Sequence, residues 1–246
     1  MIKFENTEVF GWGAAIRGMR NPMNSWHLGD TDWFDVSDDR AAESNHWLDS
    51  ANNEALILGD NDLDLMKRLR NAGTDHRKYL RMIAVYVDIT APLYWWKEFD
   101  TYKVGTVANS CSTMYKIASR KFIIDDFSHE HLMSGGTYIL NCTVDMLNEY
   151  RAQYLETKDK KYWWQMIQLL PSSYNQKRTV MMNYEVLANI YKARRSHKLD
   201  EWSENIIKVN GEEYTNKWLP NDEMNRGFCD WIKTLPYSEL ITGEDE

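Results

Sequence analysis

Apolar positions along this chain recur with two periods, and the changes between them mark out its elements. Near the start Ile2, Phe4 and Val9 alternate with polar neighbours as in a strand, and "GAAIRGMRNPMNSW" follows as a short helix ended by Asn21-Pro22. Residues 27–58, rich in Asp, Ser and Asn with scattered tryptophans, form an irregular, insertion-like stretch with a short helix. "GDNDLDLMKRLRNAG" predicts a helix capped by Asp60 or Asn61 and ended by Gly73, with Leu63, Met66 and Leu69 on one face. "YLRMIAVYVDIT" is β-branched and aromatic and predicts a buried strand, after which Pro92 opens a helix.

Further helices are predicted over 137–157, over "YWWQMIQLL" up to Pro171, and over "KRTVMMNYEVLANIYKARR", with Val180, Tyr184, Leu187 and Tyr191 down one side. "LDEWSENIIKV" and "NDEMNRGFCDWIKTL" add two more, and residues 241–246 are an acidic tail. No repeat, low-complexity segment or linker interrupts the chain. The expected architecture is one mostly helical domain over residues 1–246 around a small central sheet, an α/β fold of the α+β kind.

Composition narrows the function. With 246 residues, 43% hydrophobic and 13% aromatic, the chain can bury a sizeable core, and its 11 tryptophans suit a large pocket or a wide subunit interface. A formal charge of −8 argues against binding a nucleic-acid polymer, which needs a basic surface, yet leaves room for a local basic pocket. Cys111, Cys142 and Cys229 are odd in number and irregularly spaced, so neither a disulfide framework nor a CxxC metal site is expected. The start lacks a basic segment followed by an apolar run, and no uncharged stretch reaches the length of a membrane span. A protein of the reducing cytoplasm is expected.

Several constellations carry candidate chemistry. Asp60-x-Asp62-x-Asp64 has calcium-loop spacing, but Leu65 and Asn71 stand where such a loop needs Gly and Glu, so the triplet reads as a helix start. Asn183 and Arg194 are separated by about three helical turns and would share a face. Together they could grip a polar or anionic ring; alternatively Arg194 complements the helix C-terminus and Asn183 is solvated. His129 and His131 lack a third ligand at a recognised metal spacing, and no metal is expected. His76 sits in a helix-to-strand turn. Ser112 is a possible nucleophile without a histidine nearby in sequence to act as base. No GxGxxG, GxxxxGK, HExxH or GxSxG occurs.

The order of these segments resembles the flavin-dependent thymidylate synthases, the ThyX-type family. "AAIRG" lies near the start, "AGTDH" precedes the strand, and Ala91-Pro92 opens the next helix. Asn109, Ser112 and Tyr115 match the Asn, Ser and Tyr of the family's polar run. Leu170-Pro171 is followed at the family's spacing by Asn183, Asn189 and Arg194, and "SHKLDE" resembles its His-Ala-Gln-x-Glu segment. The resemblance runs over about residues 10–205. Departures concentrate where the family is basic: Thr101, Tyr102 and Lys103 replace Arg-His-Arg, with an extra residue before Asn109. Ser110 replaces a Glu, while Met114 and Ile167 each replace an arginine.

The resemblance implies a ThyX-like fold, FAD as cofactor, NADPH and a methylene-folate as co-substrates, and a homotetramer. Its reaction would be reductive C5 methylation, or a related one-carbon modification, of a pyrimidine nucleotide such as dUMP. By the same resemblance Arg194 and Ser112 would be catalytic. His76, Lys103, Asn109, Asn183, Asn189 and His197 would meet the flavin, and Ser110, Ser112, Arg178 and Arg194 the substrate. The chemistry would rest on the reduced flavin without a protein nucleophile. The alternative is a non-catalytic nucleotide-binding or interaction protein that keeps the fold, since lost arginines remove phosphate contacts. An unrelated, all-helical domain would lack the strand at 79–89.

Overall fold

The computed structural model describes residues 2–35, 48–51, 54–204, 206–209, 212–215 and 227–243. Its strands in chain order are β1 (Lys3–Phe10), β2 (Asp32–Asp35), β3 (Leu48–Ala51), β4 (Glu54–Ile57), β5 (Ala84–Pro92), β6 (Val107–Ser110), β7 (Asn175–Asn183), β8 (Ile206–Val209) and β9 (Glu212–Thr215). The central sheet is antiparallel throughout, in the order β1-β5-β7-β6. Along β5 the side chains alternate: Val85, Val87, Ile89 and Ala91 are buried while Tyr86 is exposed. Val180 and Met182 of β7 continue the buried face. Trp12, Trp95, Leu187 and Phe228, from four helices, belong to the same core. The α+β class expected from the sequence is the one observed.

The tertiary structure corrects several sequence expectations. Residues 175–183 are a strand rather than the first half of a helix, paired with β5 from Asn175↔Pro92 to Asn183↔Ala84 and flanked on its other edge by β6. The helix begins only at Tyr184 and runs to Arg194. Residues 79–82, expected as the start of the strand, belong instead to a 3-10 helix, Arg77–Met82, ahead of β5. Among the described residues of 27–58, β2, β3 and β4 make a three-stranded antiparallel sheet where an irregular stretch was expected. Among the described residues the stretch begins with a 3-10 turn, Trp26–Leu28, and residues 36–47 lie outside the described residues. Residues 206–209 pair as a hairpin with 212–215 instead of extending a helix, and residues 221–226 of the next expected helix lie outside the described residues. That helix is Phe228–Lys233, and a single turn, Glu239–Thr242, occupies the start of the expected tail.

The helix Asp60–Asn71 is not capped from its own first residues. Asp30, far away in sequence, accepts from Asn61 N at 2.9 Å and Asp62 N at 3.1 Å. Asp62 turns inward, is fully buried, and accepts from Arg20 Nε at 2.6 Å and from the backbone N–H groups of Asp30 and Thr31. Burial by itself would raise this carboxyl, but hydrogen bonds from Thr31, Arg20 and Asp30 win and hold it below the usual carboxylate range. Gly11, between β1 and the helix Trp12–Arg20, has φ +98, and a Cβ there would lie 2.1 Å from Met82 O.

A second apolar cluster holds the helix pair Ser134–Thr157 and Lys160–Leu169 against residues 117–127 through Ile117, Phe122, Phe127, Leu140, Leu147 and Met166. Among the described residues no helix is long and apolar enough to cross a membrane.

Candidate functional site

Tyr94, Trp95 and Trp96 open the helix Leu93–Phe99, and their burial decides where its remaining side chains point. Trp95, Trp96 and Phe99 are fully buried; Trp95 stacks on Trp202 at 4.4 Å, and Trp96 Nε1 donates to Gln176 O at 2.9 Å. This anchors Glu98 beside the end of the helix Tyr184–Arg194. There Arg194 Nη1 donates to Glu98 Oε2 at 2.7 Å and Arg194 Nε donates to Tyr102 Oη at 2.8 Å. The guanidinium lies over the Trp202 ring at 5.0 Å. His197 Nδ1 accepts from Leu199 N at 3.2 Å, which leaves the ring proton on Nε2, 3.5 Å from Glu98 Oε2.

Asn183 does not share a helical face with Arg194. It is the extended residue before the helix, and its Oδ1 accepts from Val186 N at 3.0 Å as an N-cap. About 16 Å of helix axis therefore separates it from Arg194. Gly105, at φ +72, crosses directly above it, where a Cβ would lie 3.0 Å from Asn183 Nδ2 and 3.1 Å from Val186 Cγ2.

Lys103, Asn109 and Ser110 are all exposed, the last two on β6, where Asn109 stands opposite Thr179 and Ser110 opposite Arg178. Arg178 is committed: its Nη1 donates to Asp100 Oδ1 at 2.7 Å, its Nε to Gln176 Oε1 at 3.0 Å, and its guanidinium covers Trp96 at 4.2 Å. Ser112 caps a single helical turn by accepting from Tyr115 N at 2.9 Å. It lines a cavity of about 810 Å³ together with Cys111, Lys116, His129, Tyr174 and Lys177. His129 Nδ1 donates to Phe127 O at 2.8 Å, and His131 lies 3.4 Å from Asp200.

A different cavity, of about 630 Å³, gathers Arg70, Thr74, Arg77, Asn189, Lys192 and Arg195. Its walls are the turn after the helix Asp60–Asn71 and the outer side of the helix Tyr184–Arg194. Arg77 Nη2 donates to Asn189 Oδ1 at 3.1 Å, and Arg77 Nε is 2.9 Å from Glu185 Oε2. His76 is exposed on the same turn without lining the cavity. Four basic side chains around one hollow, in a chain of charge −8, suit an anionic diphosphate or phosphate group.

The structure thus brings Asn189 and the turn of His76 to one cavity. It places Arg194 and His197 together at Glu98, and leaves Asn183, Lys103 and Ser112 apart from both. Glu98, Tyr102 and Trp202 around Arg194, and Arg70, Arg77 and Lys192 in the basic cavity, were not singled out by sequence. The only signal for the basic cavity was basic density on either side of Gly73 and at the end of "YKARR", which also fits ordinary helix C-termini.

No protein-family model matches this sequence, and no curated protein matches it. Solved structures do. Thymidylate synthase X (ThyX) from Helicobacter pylori, crystallised with FAD and dUMP, superposes with a TM-score of 0.54 at 16% identity, covering 80% of this chain and 86% of that one. A second structure of the flavin-dependent thymidylate synthase ThyX from Helicobacter pylori, also complexed with FAD and dUMP, gives 0.52 at 14% identity, covering 80% and 85%. The chain has a ThyX-like fold. At this identity the likeness is one of fold, and the chemistry has to be argued from the ThyX-like chain's own residues.

Proposed function

We propose that this protein binds FAD and a pyrimidine nucleotide such as dUMP, and carries out reductive C5 methylation or a related one-carbon modification of that nucleotide. One observation carries the proposal. In a ThyX-like fold, the turn of His76 and the amide of Asn189, both expected at the flavin, meet at a basic cavity of about 630 Å³. There Lys192 and Arg195 would hold the anionic part of the cofactor, with Asn189, held by Arg77, as a polar contact. Bound reduced flavin would supply the hydride that completes a methyl group, with NADPH as its reductant and a methylene-folate as the carbon donor.

This chain's residues would do the positioning. Arg194, oriented by Glu98 and Tyr102, would donate to the pyrimidine; Ser110, Ser112 and the 810 Å³ cavity lie on the sheet side of the molecule. Arg194 and Asn189 leave one helix in different directions, towards Glu98 and towards Arg77. A shared site between copies, as in the expected homotetramer, would reconcile them. Cys111 and Cys142 are exposed free thiols and Cys229 a buried one, in keeping with a reducing cytoplasm.

The test is an absorption spectrum of the purified protein after incubation with FAD and desalting, followed by dUMP titration against the flavin signal. Retained flavin absorbance that responds to dUMP supports the proposal; a colourless protein overturns it. The second reading, a nucleotide-binding or interaction protein without turnover, is favoured by the pairing of Arg178 with Asp100 and of Arg194 with Glu98. Nucleotide binding without methyl transfer when every co-substrate is supplied would select it.

A further inference from the structure

The last described residues of the chain build one wall of the basic cavity. Ile241 and Thr242, from the turn Glu239–Thr242, line it beside Arg70, Arg77, Lys192 and Arg195. Leu240 and Ile241 are buried, and Arg70 Nη2 donates to Ile241 O at 3.1 Å, which fixes this wall to the helix Asp60–Asn71. Lys67 on the same helix faces Glu239 at 3.6 Å. Gly243 closes the turn. Its N–H donates to Glu239 O at 2.8 Å, its φ is +75, and a Cβ on it would fall on the Arg70 guanidinium. The last described residue thus rests against Arg70 beside the cavity. Next in sequence come Glu244, Asp245 and Glu246, which lie outside the described residues.

Among the described residues that line the cavity four are basic and none is a carboxylate. Glu185 meets Arg77 from the helix Tyr184–Arg194, while Lys192 and Arg195 are exposed. Such a cluster attracts acidic groups, and three successive acids are tethered at its rim. Three residues reach at most about 10 Å when extended, comparable with the width of a cavity of about 630 Å³. A tether this short gives the acids an effective concentration on the order of millimolar or above, which a free anion has to match. We propose that Glu244-Asp245-Glu246 docks in the basic cavity as an internal counter-anion, so that an anionic ligand binds there only by displacing it. The inference rests on the reading of this cavity as an anion site and adds that the chain regulates access to it.

The test measures the affinity of the full chain for inorganic pyrophosphate by calorimetry. One variant combines Glu244→Gln, Asp245→Asn and Glu246→Gln, substitutions beyond the buried turn that leave the core untouched. A control variant combines Asp145→Asn, Glu149→Gln and Glu156→Gln on the exposed face of the helix Ser134–Thr157, with the same change in net charge. A segment that fills the cavity nine times in ten weakens a competing ligand about tenfold, so the first variant is expected to bind pyrophosphate about tenfold more tightly than wild type. The control should stay within about twofold of wild type. Equal affinity of wild type and the first variant overturns the inference, and so does an equal gain in the control, which would make the effect one of overall charge. FAD retention after desalting is measured on the same proteins. Tighter pyrophosphate binding without FAD retention supports the inference and takes down the flavin reading alone. Failure of pyrophosphate to bind any of the three proteins overturns the inference, and failure of FAD as well takes the flavin reading with it.

Discussion

Arg194 and Asn189 lie on the same eleven-residue helix and make contacts in different directions, Arg194 with Glu98 at 2.7 Å and Asn189 with Arg77 at 3.1 Å. Their spacing of five residues places them well over a quarter-turn apart around the helix. The two should therefore fail separately. Arg194→Ala is expected to weaken pyrimidine nucleotide binding by about tenfold or more, the worth of a charge-assisted hydrogen bond, while FAD retention stays within about twofold of wild type. Parallel titrations of FAD and dUMP check this, and equal losses of both ligands would contradict the separation.

Lys192 lines the basic cavity and is exposed, so its replacement carries little stability cost. Lys192→Glu reverses one of the charges facing the bound anion and is expected to lower FAD affinity about tenfold at low salt, with a smaller effect at high salt. Fluorescence titration at two ionic strengths measures both numbers. An unchanged affinity would remove the cavity from the flavin site.

Arg20 and Asp62 are a buried ion pair, 5% and 0% exposed. Asp62→Asn leaves the guanidinium without its countercharge and is expected to cost about 3–5 kcal/mol by chemical denaturation. The folded-state pKa of Asp62 is depressed, so its contribution is fully present above the unfolded value of about 3.9 and is lost as pH falls through the lower folded value. Wild-type stability should thus fall on acidification below about pH 4 more steeply than that of Asp62→Asn.

Gly105 and Asn183 meet at the start of the helix that carries Arg194. Gly105→Ala forces an L-residue into φ +72 and presses a methyl group against Asn183 and Val186, with an expected cost of about 1–3 kcal/mol. Asn183→Ala removes only the cap and should cost about 1 kcal/mol. Denaturation midpoints order the two variants. Because the two residues touch, the double variant should cost less than the sum.

Local chemistry was enough to place much of this fold. β-branched and aromatic residues marked β5 as a buried strand, Pro92 the start of the next helix, and Gly73 the end of an earlier one, because these signals depend on side-chain shape and backbone sterics within a few residues. Asn183, Asn189 and Arg194 could be picked out by spacing and resemblance, but not their geometry. "KRTVMMNYEVLANIYKARR" carries apolar residues that satisfy a helical stripe, and only pairing with β5 on one edge and β6 on the other makes its first half a strand. That switch moves Asn183 from a helix face to a cap.

The partners of the site were equally out of reach of the sequence. Glu98 stands nearly a hundred positions before Arg194, Arg77 more than a hundred before Asn189, and Asp30 caps a helix it precedes by thirty residues. A sequence states which groups carry charge and which faces must be buried. Which charge meets which is decided when the chain buries those faces together, because hydrogen bonds and ion pairs act over a few ångströms in space and are indifferent to distance along the chain.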